Sequence, residues 1–192
     1  VHTTYPTTAE DGRIIYTRWD YNDRNQMYVQ AVFQMFSDGT GQTELFGNNV
    51  NNPTTLLHTR EIPGNSGKYV SIVCGHHIYQ CGKLAVIDTA KGRNNSKSLT
   101  YVWPDSDTRE LEKKTDNDTS NYQSGRVYKY PYAISNSEFL VSTCKQYNGG
   151  DTPFDIMLIN TDGDSVRIAK GSSSLPASQI VPIKTSNIFN RA

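Results

Sequence analysis

Short apolar runs alternate along the chain with polar, glycine-punctuated loops, and three stretches follow one order: turn, apolar run, polar loop, second apolar run, Gly turn. In the first, Glu10-Asp11-Gly12-Arg13 leads into Ile14-Ile15-Tyr16-Thr17-Arg18. The loop Trp19 to Gln26 follows, then Met27 to Phe36, closed by Ser37-Asp38-Gly39-Thr40. The second places Ile62-Pro63-Gly64 and Gly67-Lys68 before Tyr69 to Cys74, then the loop Gly75 to Gln80 and the run Leu84 to Asp88. The third runs from Ile134-Ser135-Asn136-Ser137 through Phe139 to Cys144, the loop Lys145 to Pro153 and Ile156 to Asn160, ending on Thr161-Asp162-Gly163-Asp164. Short runs rich in β-branched and aromatic residues, bounded by Gly and Asp-Gly turns, predict antiparallel strands. A further strand is predicted at Thr43 to Phe46, Thr100 to Trp103 and Val166 to Ala169. A meander of this kind cannot bury its face alone, so it stacks on its neighbours. The expected units are 8–47, 58–104 and 130–170. Between them lies a polar excursion, 105–124, with a short helix through Glu110 to Lys114 capped by Ser106. Residues 171–192 read as a linker into a further unit of the same kind.

Composition narrows the class. The chain has 192 residues, with 19 Lys+Arg against 19 Asp+Glu, so no bulk charge draws it to nucleic acid or an anionic membrane. Hydrophobic residues make up only 35%, and 12 Tyr are present, which favours strands and turns over helices. No apolar run approaches the ~20 residues of a membrane span. The reading is all-β. Both ends look cut, as in a processed or excised piece.

Asp-Gly-Arg before a strand, with Asp-Gly after its partner, resembles the blades of TolB-type six-bladed β-propellers. Two strings are more specific: Asp11 through Arg24, and Ile62-Pro63-Gly64 through Cys74-Gly75-His76-His77. With Gly82-Lys83-Leu84-Ala85-Val86-Ile87-Asp88 they resemble the middle domain of hydrazine synthase alpha subunits, over roughly residues 8 to 170. That resemblance implies a propeller among haem-bearing domains, helping to wall a haem site. No CxxCH occurs in this sequence, so no haem is expected within the chain and any haem would sit on a partner domain. Three units also fall short of the roughly 250 residues a closed six-bladed ring needs. The expectation is a partial propeller of about three blades, with other blades or domains of a longer parent chain as partners.

Candidate chemistry lies in the loops between paired strands, which gather at one mouth of such a fold. The first loop region holds Arg18, Trp19, Asp20, Asp23 and Arg24. Two readings stand: a ligand-facing wall on which Trp19 stacks, or charges that pair among themselves. In the second loop, His76, His77 and Tyr79 offer two imidazoles and a phenol, suited to metal binding by His76 and His77, to acid–base work, or to polar binding. Tyr79 would also suit an axial position on haem iron. Packing without chemistry is the bland alternative. Cys74 and Cys81 flank this loop and would staple it if they faced each other across a hairpin, which favours an exported setting. Cys144, at the matching place in the next unit, reads as core. Asp162-Gly163-Asp164 reads as a hairpin turn rather than a calcium loop.

The leading expectation is a β-propeller binding or scaffold module of an exported (periplasmic or extracellular) bacterial protein, its mouth facing a small-molecule ligand or partner domain. The competing one is a subdomain of a multihaem redox enzyme.

Overall fold

The computed structural model describes residues 2–20, 29–50, 53–64, 67–76, 79–103 and 125–183. Among these, twelve strands form three antiparallel four-stranded meanders. The first comprises β1 (His2–Thr8), β2 (Ile14–Trp19), β3 (Gln30–Met35) and β4 (Thr43–Phe46). The second comprises β5 (Thr55–Glu61), β6 (Lys68–Cys74), β7 (Lys83–Asp88) and β8 (Leu99–Trp103). The third comprises β9 (Val127–Ala133), β10 (Glu138–Cys144), β11 (Asp155–Asn160) and β12 (Ser165–Ala169). Apart from two single turns of 3₁₀ helix, Thr89–Lys91 and Ser96–Ser98, the described residues hold no helix. The 105–124 excursion, with the predicted helix in it, lies outside the described residues.

Each meander begins one strand before the expected unit. The strands β1, β5 and β9 were not among those the apolar pattern predicts, and the reason is visible in their geometry. Each is seven residues long, and its fourth residue has a positive φ: Tyr5 at 55°, His58 at 55° and Tyr130 at 48°. At the same place the pairing with the next strand slips, between Thr4 and Thr7, between Leu57 and Arg60, and opposite Leu140 to Ser142. A bulge of this kind shifts the side-chain alternation by one, so the period-two signal is lost. Left-handed backbone at a non-glycine residue costs on the order of 1 kcal/mol.

The meanders pack face to face around one core. Val32 and Phe46 of the first meet Leu56, Val70, Ile72 and Leu84 of the second, and these meet Tyr128, Phe139 and Val141 of the third; all are essentially buried. At ~25 cal/mol per Å² of apolar surface, this shared core is what no single meander could supply. Backbone bonds stitch the seams. Gln30 N–H donates to Thr54 O (2.7 Å), and the buried Thr17 hydroxyl donates to Leu56 O (2.6 Å), joining the first pair. Gly82 and Tyr128 exchange N–H···O bonds of 3.2 and 2.8 Å, joining the second. A side chain at Gly82 would strike the Val73 carbonyl and come within 2.9 Å of Cys74 Cβ, so only glycine fits this seam.

Candidate functional site: the loop mouth and the inner strands

Strand alternation sorts the first candidate residues. Tyr16 and Arg18 project to the outer face of the first blade, and Trp19 to the other, toward the second blade. Arg18 accordingly does not reach the mouth. Its guanidinium lies 4.9 Å over the Phe33 ring and its Nε donates to Asp20 Oδ1 at 2.9 Å, which is the charge-pairing arrangement. Asp23 and Arg24 lie outside the described residues.

Trp19 and His76 do come together. The indole lies 5.0 Å from the His76 ring, edge to face, and 5.2 Å from His2, stacked. His76 is only 4% exposed, and its Nδ1 lies 3.0 Å from the Gln30 side-chain nitrogen. An amide NH₂ can only donate, so with this amide orientation Nδ1 accepts and the neutral ring carries its proton on Nε2. Gln30 is also the residue that bridges to Thr55, so one position fixes both the seam and the imidazole. His77 lies outside the described residues, and among those described no three His, Cys, Asp or Glu gather as metal ligands.

Tyr79 points elsewhere. Its ring packs on Tyr147 of the third blade at 4.6 Å, and Tyr147 continues to Phe154 at 6.1 Å. Lys129 Nζ caps the Phe154 ring at 4.3 Å. Burial, then the neighbouring Cys81 and Tyr79, raises the Tyr147 phenol above its ordinary pKa. Beside this patch the β10–β11 loop opens a groove of about 570 Å³ lined by Lys145, Gln146, Asp151 and Pro153.

The hairpin staple is not formed: Cys74 and Cys81 are free, buried thiols. The register that sets Val73 opposite Lys83 would set Cys74 opposite Gly82, so Cys81 projects to the other face. Cys74 joins the main core, whereas Cys81 joins Val127, Cys144 and Phe154. Burial pushes the Cys144 thiol up to about 11 and raises Cys74 further. The Asp162-Gly163-Asp164 turn closes on itself, with Asn160 Oδ1 accepting from the amides of Asp162 (3.1 Å) and Asp164 (2.8 Å).

A second constellation escaped the sequence reading. The three bulged positions pack on one another with tilted rings, Tyr5 on His58 at 4.1 Å and His58 on Tyr130 at 4.3 Å. His58 is 5% exposed, and burial, with Lys129 and Arg60 nearby, lowers its pKa from 6.5 to about 3. Burial and the adjacent Tyr130 push Tyr5 up to about 12. The one sequence signal was the recurrence of Tyr-Pro, at Tyr5-Pro6 and Tyr130-Pro131.

Three strand meanders, each starting with an inner strand that bulges toward a common axis, match two solved structures. Over 93% of this chain the structure superposes on Kuenenia stuttgartiensis hydrazine synthase, with a TM-score of 0.62 and 17% identity. Over 91% it superposes on a protein assigned as a TolB from Agrobacterium tumefaciens, with a TM-score of 0.56 and 9% identity. The fold is a partial β-propeller. Its three blades correspond to 22% of the hydrazine synthase chain and 53% of the TolB chain, so in both relatives the likeness is to part of a larger chain. No family model matches the sequence, and no curated protein matches it. No helix among the described residues of the propeller is long and apolar enough to cross a membrane.

Proposed function

We propose that this propeller is a binding or scaffold module of an exported bacterial protein, with the mouth formed by the β2–β3, β6–β7 and β10–β11 loops turned to a ligand or partner domain. The observation that carries this reading is the Trp19–His76 contact, which assembles an aromatic and an imidazole from two blades, the imidazole held by Gln30. Aromatic rings held rigidly by neighbours are the usual anchors of binding surfaces. Tyr79 and Tyr147 extend the same rim onto the third blade.

A second reading, a propeller wall beside a haem borne on another domain, draws on Tyr79, which is 55% exposed at the mouth. Bound there, haem would supply redox chemistry, and Tyr79 would be the residue of this chain that faces it. Hydroxyl-radical footprinting of the intact parent protein tests the mouth. Phe36, 56% exposed at the far end of β3, is a matched control. Protection of Tyr79 relative to Phe36 is expected, and equal oxidation of the two sinks the proposal. Iron analysis of the same material separates the readings, because a partner domain without iron removes the haem.

A further inference from the structure

The inner strands enclose a cavity of about 240 Å³, distinct from the mouth loops, walled by Tyr5, Pro6, His58, Arg60 and Tyr130. The segment Gln179 to Val181 closes its remaining side. Gln179 has a φ of 52°, the conformation of Tyr5, His58 and Tyr130, so a fourth stretch of chain brings the same backbone shape to the same axis. Four non-glycine residues in a left-handed conformation around one cavity mark a place where the backbone is held to a purpose.

The wall chemistry is uneven. Arg60 is the only fully charged side chain lining it, and among the described residues no carboxylate pairs with it; its guanidinium lies 5.2 Å over the ring of Tyr132, which lines the neighbouring cavity. Glu10 and Glu61 line the neighbouring cavity on the other side of Arg60. Each carboxylate accepts from a backbone amide rather than from Arg60, Glu61 from Glu10 (2.6 Å) and Glu10 from Gly64 (3.1 Å). His58 stays neutral at physiological pH between its two tyrosines, with Nε2 buried and lacking a partner, so it adds polarity without charge. The rest combines the rings of Tyr5 and Tyr130 and the aliphatic Pro6, Ile180 and Val181 with the polar, uncharged Thr7 and Gln179. A cation without a carboxylate partner at the edge of a tyrosine-walled space of mixed polarity suits a ligand with one negative group on a small flat body. The volume is below the ~300 Å³ where pockets for drug-sized ligands begin, which restricts that body to about one ring.

We infer that this axial cavity is a binding site for a small organic carboxylate, anchored by Arg60 and packed against Tyr5 and Tyr130, with His58 as the positioning residue that holds the two rings apart. The test titrates benzoate, its cationic counterpart benzylamine and inorganic phosphate into the full chain at low salt, by calorimetry and by NMR of the His58 and Tyr130 rings. Saturable benzoate binding with no benzylamine binding is expected. Arg60→Gln should weaken benzoate at least tenfold, and Arg60→Lys less. Equal binding of benzoate and benzylamine, or benzoate affinity unchanged in Arg60→Gln, overturns the inference. Phosphate binding as tightly as benzoate overturns the apolar half of it. Should the Arg60 variants fail to fold, the wild-type ring shifts decide: they move with benzoate and stay still with benzylamine, or the site is rejected.

Discussion

At the mouth, Trp19 meets His76 because the end of β2 and the β6–β7 loop converge, and Gln30, opposite Trp19 in register, holds the imidazole. Along the axis, Tyr5, His58 and Tyr130 meet because one backbone distortion recurs in three strands. The first arrangement depends on which residues the loops carry. The second depends on where the strand bulges, and it tolerates Tyr or His at the same point. Loops on a rigid scaffold diversify chemistry, whereas a repeated bulge aims whatever side chain stands there.

That contrast can be broken most forcefully at Gly82, the residue on which both regions lean. It ends the β6–β7 mouth loop and bonds to Tyr128 in an inner strand. Gly82→Ala drives a methyl into the Val73 carbonyl, so a loss of about 3 kcal/mol or more in urea unfolding is expected, with mouth and axis disordered together. A stable variant would mean the two regions are not joined through this seam.

The next effect is specific to the axis and is read through pH. The folded pKa of His58, about 3, lies below its ordinary 6.5. Between those values the unfolded chain takes up a proton that the folded chain refuses. Stability is therefore complete above pH 6.5 and falls as the pH drops toward 3. The groups facing His58 are Tyr5, Arg60, Lys129 and Tyr130, and the two cations reinforce the shift. A fall in Tm on the order of 5 °C between pH 7 and pH 4.5 is expected, with much of it absent in His58→Phe. An identical pH profile in that variant would deny His58 this role.

The smallest effect belongs to the mouth alone. Tyr79→Phe keeps the contact with the Tyr147 ring at a residue that is 55% exposed, so stability should change by less than ~0.5 kcal/mol. A change in partner or ligand binding without a change in Tm would place the phenol at the recognition surface. A large stability loss would return Tyr79 to packing.

The outer strands were legible because their apolar runs sit between Gly turns: β4, Thr43–Phe46, coincides with its predicted run, and β2 extends its own only to Trp19. The inner strands were not. His2–Thr8 is largely threonine and exposed, Thr55–Glu61 buries His58 and Thr59 among its apolar residues, and Val127–Ala133 contains a proline. At the mouth, Trp19 and His76 stood out by residue type. Their partners His2, Gln30 and, for Tyr79, Tyr147 are remote in sequence, and only the packed blades bring them close. The Cys74–Cys81 staple failed on parity, since a hairpin register shifted by one residue turns the second thiol to the opposite face.

Pro6 and Pro131 directly follow the bulged tyrosines of β1 and β9. Strands at the inner margin of a sheet offer free amides and carbonyls to any passing chain, and side by side around one axis they would readily zip to each other. A proline removes a donor at that margin and the bulge twists the remainder out of line. Among the described residues, neighbouring blades accordingly meet edge to edge at single bridges, Gln30 with Thr55 and Gly82 with Tyr128, rather than along a full ladder.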